Sequence, residues 1–222
     1  MPRKQVSNAS DLFSADQVLP RLADLGRMAA TATLKGLAMR GLLPQTALVD
    51  CTCGNGQDSL FLLRALSLLE EGEQCRVLAL DVQQAALDSA ALRLKRACVA
   101  GASLVCDSHE NLEKALACHA PGRSLGLALY NLGFLPGGDR QIITRPASTL
   151  ASLEAAARLL LPGGLVWVHA YAGHQGGAEE RAVVEEWFRA LPEKTWQATS
   201  YCFCNKTRNP ESLFLAHKIQ AG

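Results

Sequence analysis

The 222-residue sequence predicts an α/β fold, a doubly wound and mostly parallel sheet, on three observations. Short apolar runs rich in Val, Leu and Ala alternate with longer stretches of helical periodicity, the pattern that builds parallel βαβ units. A glycine-rich turn with D-x-x-x-G-x-G spacing, Asp50 to Gly56, leads from the first run into a helix. The runs end in polar residues, which lines functional groups along the carboxyl edge of the sheet, where open sheets bind ligands.

The elements follow in order. Between Asp16 and Arg40, apolar residues Val18, Leu22, Leu25, Met28, Ala29, Ala32 and Leu37 recur at helical spacing, predicting one or two amphipathic helices that cap the domain until Pro44 breaks the pattern. The spacing then predicts strand 46–51, helix 58–70, strand 76–81, helix 83–97, strand 103–106, a short helix 109–118 and strand 125–130. A second half reads as helix 147–161, a Pro162-Gly163-Gly164 turn, strand 165–171 and helix 178–190. Segments 195–204 and 212–219 close the chain as an antiparallel edge hairpin of a seven-stranded sheet. Residues 1–45 form an N-terminal helical cap and 46–222 one compact domain, the size expected of a single α/β unit.

Composition narrows the classes. Hydrophobic residues make up 49% and charged residues 19%, enough apolar side chain for a well-buried core. No apolar run approaches the roughly 18 uncharged residues a membrane-crossing helix needs. The first residues lack the apolar centre of a secretory signal, so the expectation is a cytoplasmic protein, or an organellar one in a plant. Eight cysteines include no C-x-x-C; the pairs Cys51/Cys53 and Cys202/Cys204 fall in or beside strand-like segments, where thiols serve as small hydrophobes. No metal site is expected, for want of zinc-type spacing. Net charge is +1, with a local excess of Arg3, Lys4, Arg21, Arg27, Lys35 and Arg40 near the start and Lys206, Arg208 and Lys218 near the end. Such a split suits one basic face toward a phosphate backbone, or ordinary solvated surface.

The loop Asp50-Cys51-Thr52-Cys53-Gly54-Asn55-Gly56-Gln57-Asp58 carries the most chemistry. Glycines there let the backbone turn tightly and approach a ligand, while the helix behind offers unpaired N–H groups. Asp81 ends the next strand, where a carboxylate can hold a ribose diol. A dinucleotide-binding loop is the rival, but its third glycine position is Ser59, and Asp50 would repel a pyrophosphate while accepting hydrogen bonds from a methionine amino group. Together these strand ends resemble the S-adenosyl-L-methionine site of a class I, Rossmann-like methyltransferase. Asp58 also reads as a helix N-cap. After the fourth strand, Tyr130-Asn131-Leu132-Gly133-Phe134 stands where amino-methylating enzymes of this class carry [N/D]-P-P-[Y/F]; the Asn and an aromatic remain, the prolines do not. An Asn carbonyl at this point can orient a nucleophilic amine for in-line attack.

Taken together, V-D-C-T-C-G-N-G-Q-D, L-A-L-D-V-Q, D-S-H-E, Y-N-L-G-F-L-P-G-G-D, Y-A-G-H-Q-G-G and Y-C-F-C-N resemble, over roughly residues 46 to 218, the bacterial and plastid family once labelled rRNA methylases. Members of that family are understood as tRNA methyltransferases that convert wobble 5-aminomethyl-2-thiouridine to 5-methylaminomethyl-2-thiouridine. The resemblance implies S-adenosyl-L-methionine as cofactor, the tRNA anticodon stem-loop as partner, and no metal or membrane; a homodimer stays open. It places Asp50, Thr52, Gly54, Asn55, Gly56 and Asp58 on the cofactor loop, Asp81 and Gln83 on the ribose and adenine edge, and Ser108 and His109 beside the adenine. It places Asn131, Leu132, Gly133 and Asp139 on a substrate loop, faced by Tyr171, Gly173, His174, Gly176 and Gly177. Gln57 departs from the His often found there. Asn131 is the expected amine-orienting group, with His174 or Asp139 to take the amine's proton. Tyr201 and Phe203 are expected in the core. An rRNA acceptor, and a cofactor-binding partner subunit without catalysis, are the alternatives.

Overall fold

A computed structural model describes residues 19–135, 137–139, 141–206, 208 and 210–219. Seven strands form one sheet in the order β3-β2-β1-β4-β5-β7-β6. They are β1 (Thr46–Asp50), β2 (Arg76–Asp81), β3 (Ala102–Cys106), β4 (Ser124–Leu132), β5 (Leu160–Tyr171), β6 (Trp196–Cys202) and β7 (Glu211–Lys218). The first five pair in parallel, and β7 runs antiparallel between β5 and β6. The six α-helices of the described residues are α1 (Leu22–Met39), α2 (Gln57–Leu66), α3 (Gln84–Arg96), α4 (Leu112–His119), α5 (Pro146–Leu159) and α6 (Gly177–Ala190).

The period-2 alternation of strand side chains decides which helices cover which face. Val49, Leu80, Tyr130, Val168 and Phe214 point to one side and pack with Leu112, Leu153, Val184 and Phe188 of α4, α5 and α6. Leu48, Val77, Leu129, Trp167 and Leu213 point to the other and pack with Leu34 of α1, Leu62 of α2 and Leu94 of α3. Both faces are covered, so the central strands read as nearly continuous apolar runs.

The predicted N-terminal cap is, over its described part, the single helix α1, which packs on β5, β7 and α2 within the main core. Gly26 makes this possible: a Cβ there would stand 2.4 Å from the Trp167 ring, so only glycine lets α1 lie this close to β5. The start of the predicted helical stretch, with Val18, lies outside the described residues. Helix α2 ends at Leu66, short of 70, and the chain turns through a 3-10 segment, Gly72–Gln74, before β2. The Pro162-Gly163-Gly164 turn falls inside β5 instead of before it; the register against β4 shifts between Leu125 and Leu127, so these residues form a bulge while pairing resumes at Leu165. Tyr201 is exposed on β6, the edge strand paired with β7, and Phe203 is half-buried against the core on the α1 side of the sheet. Of the cysteines, Cys51, Cys53 and Cys75 are buried as expected, while Cys98, Cys106, Cys118, Cys202 and Cys204 are exposed. All eight are unpaired thiols.

Candidate active site

The ends of β1, β2 and β4 meet at the glycine loop. Gly56, at φ +71°, turns the chain into α2, and a Cβ there would come within 2.7 Å of the Ala90 Cβ on α3. Both the left-handed backbone and the close approach therefore require glycine. Asp81 fastens this loop from the next strand: one carboxylate oxygen accepts the Gly54 N–H at 2.8 Å and the other the Gln83 N–H at 2.9 Å. Each oxygen retains lone pairs for a diol. The Asn55 carbonyl accepts from the Arg93 guanidinium at 2.6 Å, which ties the loop to α3.

Asp50 lies under the loop rather than on its surface. It is fully buried, its Oδ2 accepting the Ser59 hydroxyl at 2.6 Å, so it locks the start of α2 to β1. Burial, and then the neighbouring charge of Asp58, push its carboxyl up to about 7. Asp58, on the first turn of α2, is not the helix N-cap; that position is Gly56, and the Asp58 carboxylate bridges away from the helix. It accepts Arg27 of α1 at 2.9 Å on one oxygen and the Asn131 side-chain amide at 2.8 Å on the other. The Thr52 hydroxyl accepts the Asn131 backbone N–H at 2.6 Å. Asn131 is thereby held at both ends, and because a carboxylate only accepts, its amide nitrogen must face Asp58 and its carbonyl oxygen faces away.

On the adenine side, Ser108 caps the 3-10 turn His109–Asn111 by accepting the Glu110 N–H at 3.4 Å. His109 is buried edge-on to Tyr130, centroids 6.0 Å apart, with Nε2 lacking any protein partner. Burial, against a smaller opposing effect of Glu110, pulls its imidazole down to about 4. An orphaned buried ring nitrogen, a glycine cradle and a carboxylate at the ribose position fit an adenosyl group. Residues from Gly54, Asp81, Ser108 and His109 would hold it.

The structure separates the two expected proton acceptors. Asp139 is exposed and its carboxylate accepts the Gln141 N–H at 2.8 Å. His174 donates from Nδ1 to the Gln175 carbonyl at 3.0 Å, and its Nε2 is enclosed by the backbone of Gly133 and Gly177. Neither lines the cavity of about 460 Å³ that opens among α1, α2 and the ends of β5 and β7. That cavity is bounded by Arg21, Arg27, His169, Tyr171, Lys206 and Glu211. Sequence reasoning missed Arg27 and His169 as site residues. Arg27 sat within a basic excess too ordinary to single it out, and His169 inside an apolar strand; only the β4–β5 register sets His169 beside Asn131.

A sheet of this order with a cofactor loop of this form defines a class I methyltransferase dependent on S-adenosylmethionine. The family model described as "Putative rRNA methylase" matches residues 77–217, so the chain belongs to that family. The chloroplastic tRNA (mnm(5)s(2)U34)-methyltransferase of Arabidopsis thaliana is 33% identical over 197 residues, covering 86% of this chain and 70% of that protein. Among solved structures, the putative rRNA-methylase from Clostridium thermocellum is 29% identical with a TM-score of 0.74, over 91% of this chain and all of that one (100%). A putative methyltransferase from Streptococcus mutans, in complex with SAH, is 25% identical with a TM-score of 0.73 over 91% and 100% of the two chains. No helix among the described residues is long and apolar enough to cross a membrane, and they contain no cluster of His, Cys, Asp and Glu suited to a metal ion.

Proposed function

We propose that this methyltransferase acts on tRNA, converting wobble 5-aminomethyl-2-thiouridine to 5-methylaminomethyl-2-thiouridine. The observation that carries the reading is the Arg27–Asp58–Asn131 chain, which fixes the Asn131 amide nitrogen and leaves its carbonyl oxygen as an acceptor at the end of β4. An amine N–H donating to that oxygen would have its lone pair held in one direction, the alignment a methyl transfer needs. S-adenosylmethionine, when bound, supplies a methyl group on a sulfonium that is already a good leaving group. The chain's own contribution is then to orient the amine, exclude water and accept a proton.

The nucleoside comes from the name of the Arabidopsis relative. Arg21, Arg27 and Lys206 at the neighbouring cavity supply cations where a nucleotide's phosphates would lie. An rRNA acceptor is the second reading, favoured by the description of the matching family. Purified protein incubated with labelled S-adenosylmethionine and, separately, tRNA carrying 5-aminomethyl-2-thiouridine and bulk rRNA decides between them. Nucleoside mass spectrometry should find 5-methylaminomethyl-2-thiouridine in the tRNA and no new methyl group in the rRNA; the reverse result would overturn the tRNA assignment.

A further inference from the structure

Beside Asn131 runs a line of hydrogen bonds that the cofactor site does not use. Asn131 on β4 pairs in register with His169 on β5, and Tyr171 pairs with Glu211 on β7, so all four side chains stand on the same face of the sheet. The Tyr171 hydroxyl meets His169 Nδ1 at 3.1 Å, and His169 Nε2 meets Glu211 Oε2 at 2.9 Å. Lys206 holds the other Glu211 oxygen. Because a carboxylate accepts, Nε2 carries the ring proton, Nδ1 is the lone pair, and Tyr171 donates to it. The tyrosine oxygen is left to accept at the cavity wall. All three side chains border the cavity, with His169 buried and Tyr171 the most exposed, so the line opens to a ligand at Tyr171.

Resting on the aminomethyl-uridine reading above, we infer that Tyr171, His169 and Glu211 form the relay that deprotonates the substrate ammonium before methyl transfer. The ammonium donates an N–H to the Tyr171 oxygen. As that N–H bond breaks and an O–H bond forms, the original tyrosine proton passes to His169 Nδ1. The products are a neutral amine, whose lone pair is freed toward Tyr171 and swings to the methyl donor by rotation about the C–N bond, and an imidazolium paired with the Glu211 carboxylate. One proton is later released to solvent at the cavity mouth, and no electrons are exchanged with any redox partner.

The charges around the relay fit this cycle. Burial holds His169 below its ordinary value, with Glu211 opposing, so the resting ring is neutral and able to accept. Burial would raise Glu211, but Lys206 and His169 outweigh it and keep the carboxyl ionised. Burial first, then Glu211 and Asp58, raise the Tyr171 hydroxyl to about 12, so tyrosine passes a proton along without resting as phenolate. Among the described residues, the other charges near this cavity are Asp58 from α2, Arg27 from α1, Arg21 just before α1, their shared partner Asp24, and Lys206 from the turn before β7; β4 sets the neutral Asn131 beside His169. Desolvation there also disfavours the ammonium, which brings donor and acceptor closer in proton affinity.

The test is single-turnover methyl transfer from S-adenosylmethionine to tRNA bearing 5-aminomethyl-2-thiouridine, measured across pH for the wild type, Tyr171→Phe, His169→Gln and His174→Gln. General-base catalysis contributes about 10²-fold or more, so Tyr171→Phe should lose roughly that factor near neutral pH and recover as the free amine deprotonates. Affinity for S-adenosylhomocysteine should stay unchanged. A Tyr171→Phe protein with the wild-type rate and profile overturns the relay, as does a profile altered in His174→Gln but not in Tyr171→Phe. Should the wild type itself leave this tRNA unmethylated, the substrate reading falls and the relay with it. Nitrogen-15 NMR of the cofactor-free protein gives a readout independent of turnover: His169 should be protonated on Nε2 with Nδ1 bare at neutral pH, and the opposite tautomer refutes the proton path.

Discussion

Replacing Asp81 tests the proposed cofactor site most directly, because this carboxylate fastens the glycine loop and is the proposed diol acceptor. Its two oxygens hold the Gly54 and Gln83 N–H groups at 2.8 and 2.9 Å, and each keeps lone pairs that a ribose diol could use. A hydrogen bond involving a charged group contributes about 1.5–3 kcal/mol, and loss of the diol acceptor in Asp81→Ala removes one such interaction from the complex. Water replaces the carboxylate at the two N–H groups, so the glycine loop must be re-ordered on binding, at a further cost of roughly 1 kcal/mol. Affinity for S-adenosylhomocysteine should therefore fall by about 2.5–4 kcal/mol, some 60- to 700-fold. Asp81→Asn keeps one oxygen and turns an NH₂ toward one of the two N–H donors, and should fall between the wild type and Asp81→Ala. Calorimetric titration measures the affinities, and circular dichroism confirms that each variant is folded. Binding of the Ala variant within about threefold of the wild type, or Asn weaker than Ala, would refute the assignment of Asp81 as both loop fastener and diol acceptor.

Three further outcomes follow from the geometry. Asn131→Ala should lower the single-turnover rate by about 10²-fold while leaving S-adenosylhomocysteine affinity nearly intact, since its carbonyl acts on the acceptor; stopped-flow transfer beside calorimetry separates the two. Gly56→Ala forces a Cβ against Ala90 at a φ of +71°, and overpacking with left-handed strain should together destabilise the fold by roughly 2–4 kcal/mol in urea titrations, with cofactor binding weakened as the loop shifts. His109 is depressed from 6.5 to about 4, so the unfolded chain binds its proton first: the stability present above pH 6.5 is lost as pH falls toward 4. Measured as wild type minus His109→Asn, so that other titrating groups cancel, stability should drop by about 1.4 kcal/mol per pH unit across that window, and a flat difference would show that the buried ring is not held neutral.

Much was legible in the sequence because it is local. Apolar runs and helical periodicity located all seven strands and the helices of the described chain, and the D-x-x-x-G-x-G spacing located the cofactor loop, since a tight turn beside a ligand admits only glycine. Asp81, Asn131 and His109 could be singled out because each stands at a strand end or just beyond one, and strand ends share one edge of a parallel sheet. The boundaries that slipped, at 162–164 and at the end of α2, are places where strand pairing or a turn overrides local propensity.

What only the tertiary structure decided is how these groups are joined. Asp50 carries the same signature as an exposed cofactor ligand, yet burial and Ser59 assign it to the foundation of the loop. Nothing in the sequence links Arg27, Asp58 and Asn131, which lie on three elements, until Gly26 lets α1 settle against Trp167 and brings the guanidinium to the carboxylate. His169 is one histidine in an apolar strand until register sets it between Asn131, Tyr171 and Glu211. Periodicity reports which way a side chain points, but which other side chain it meets depends on strand order and helix approach, and those are settled by packing the whole core.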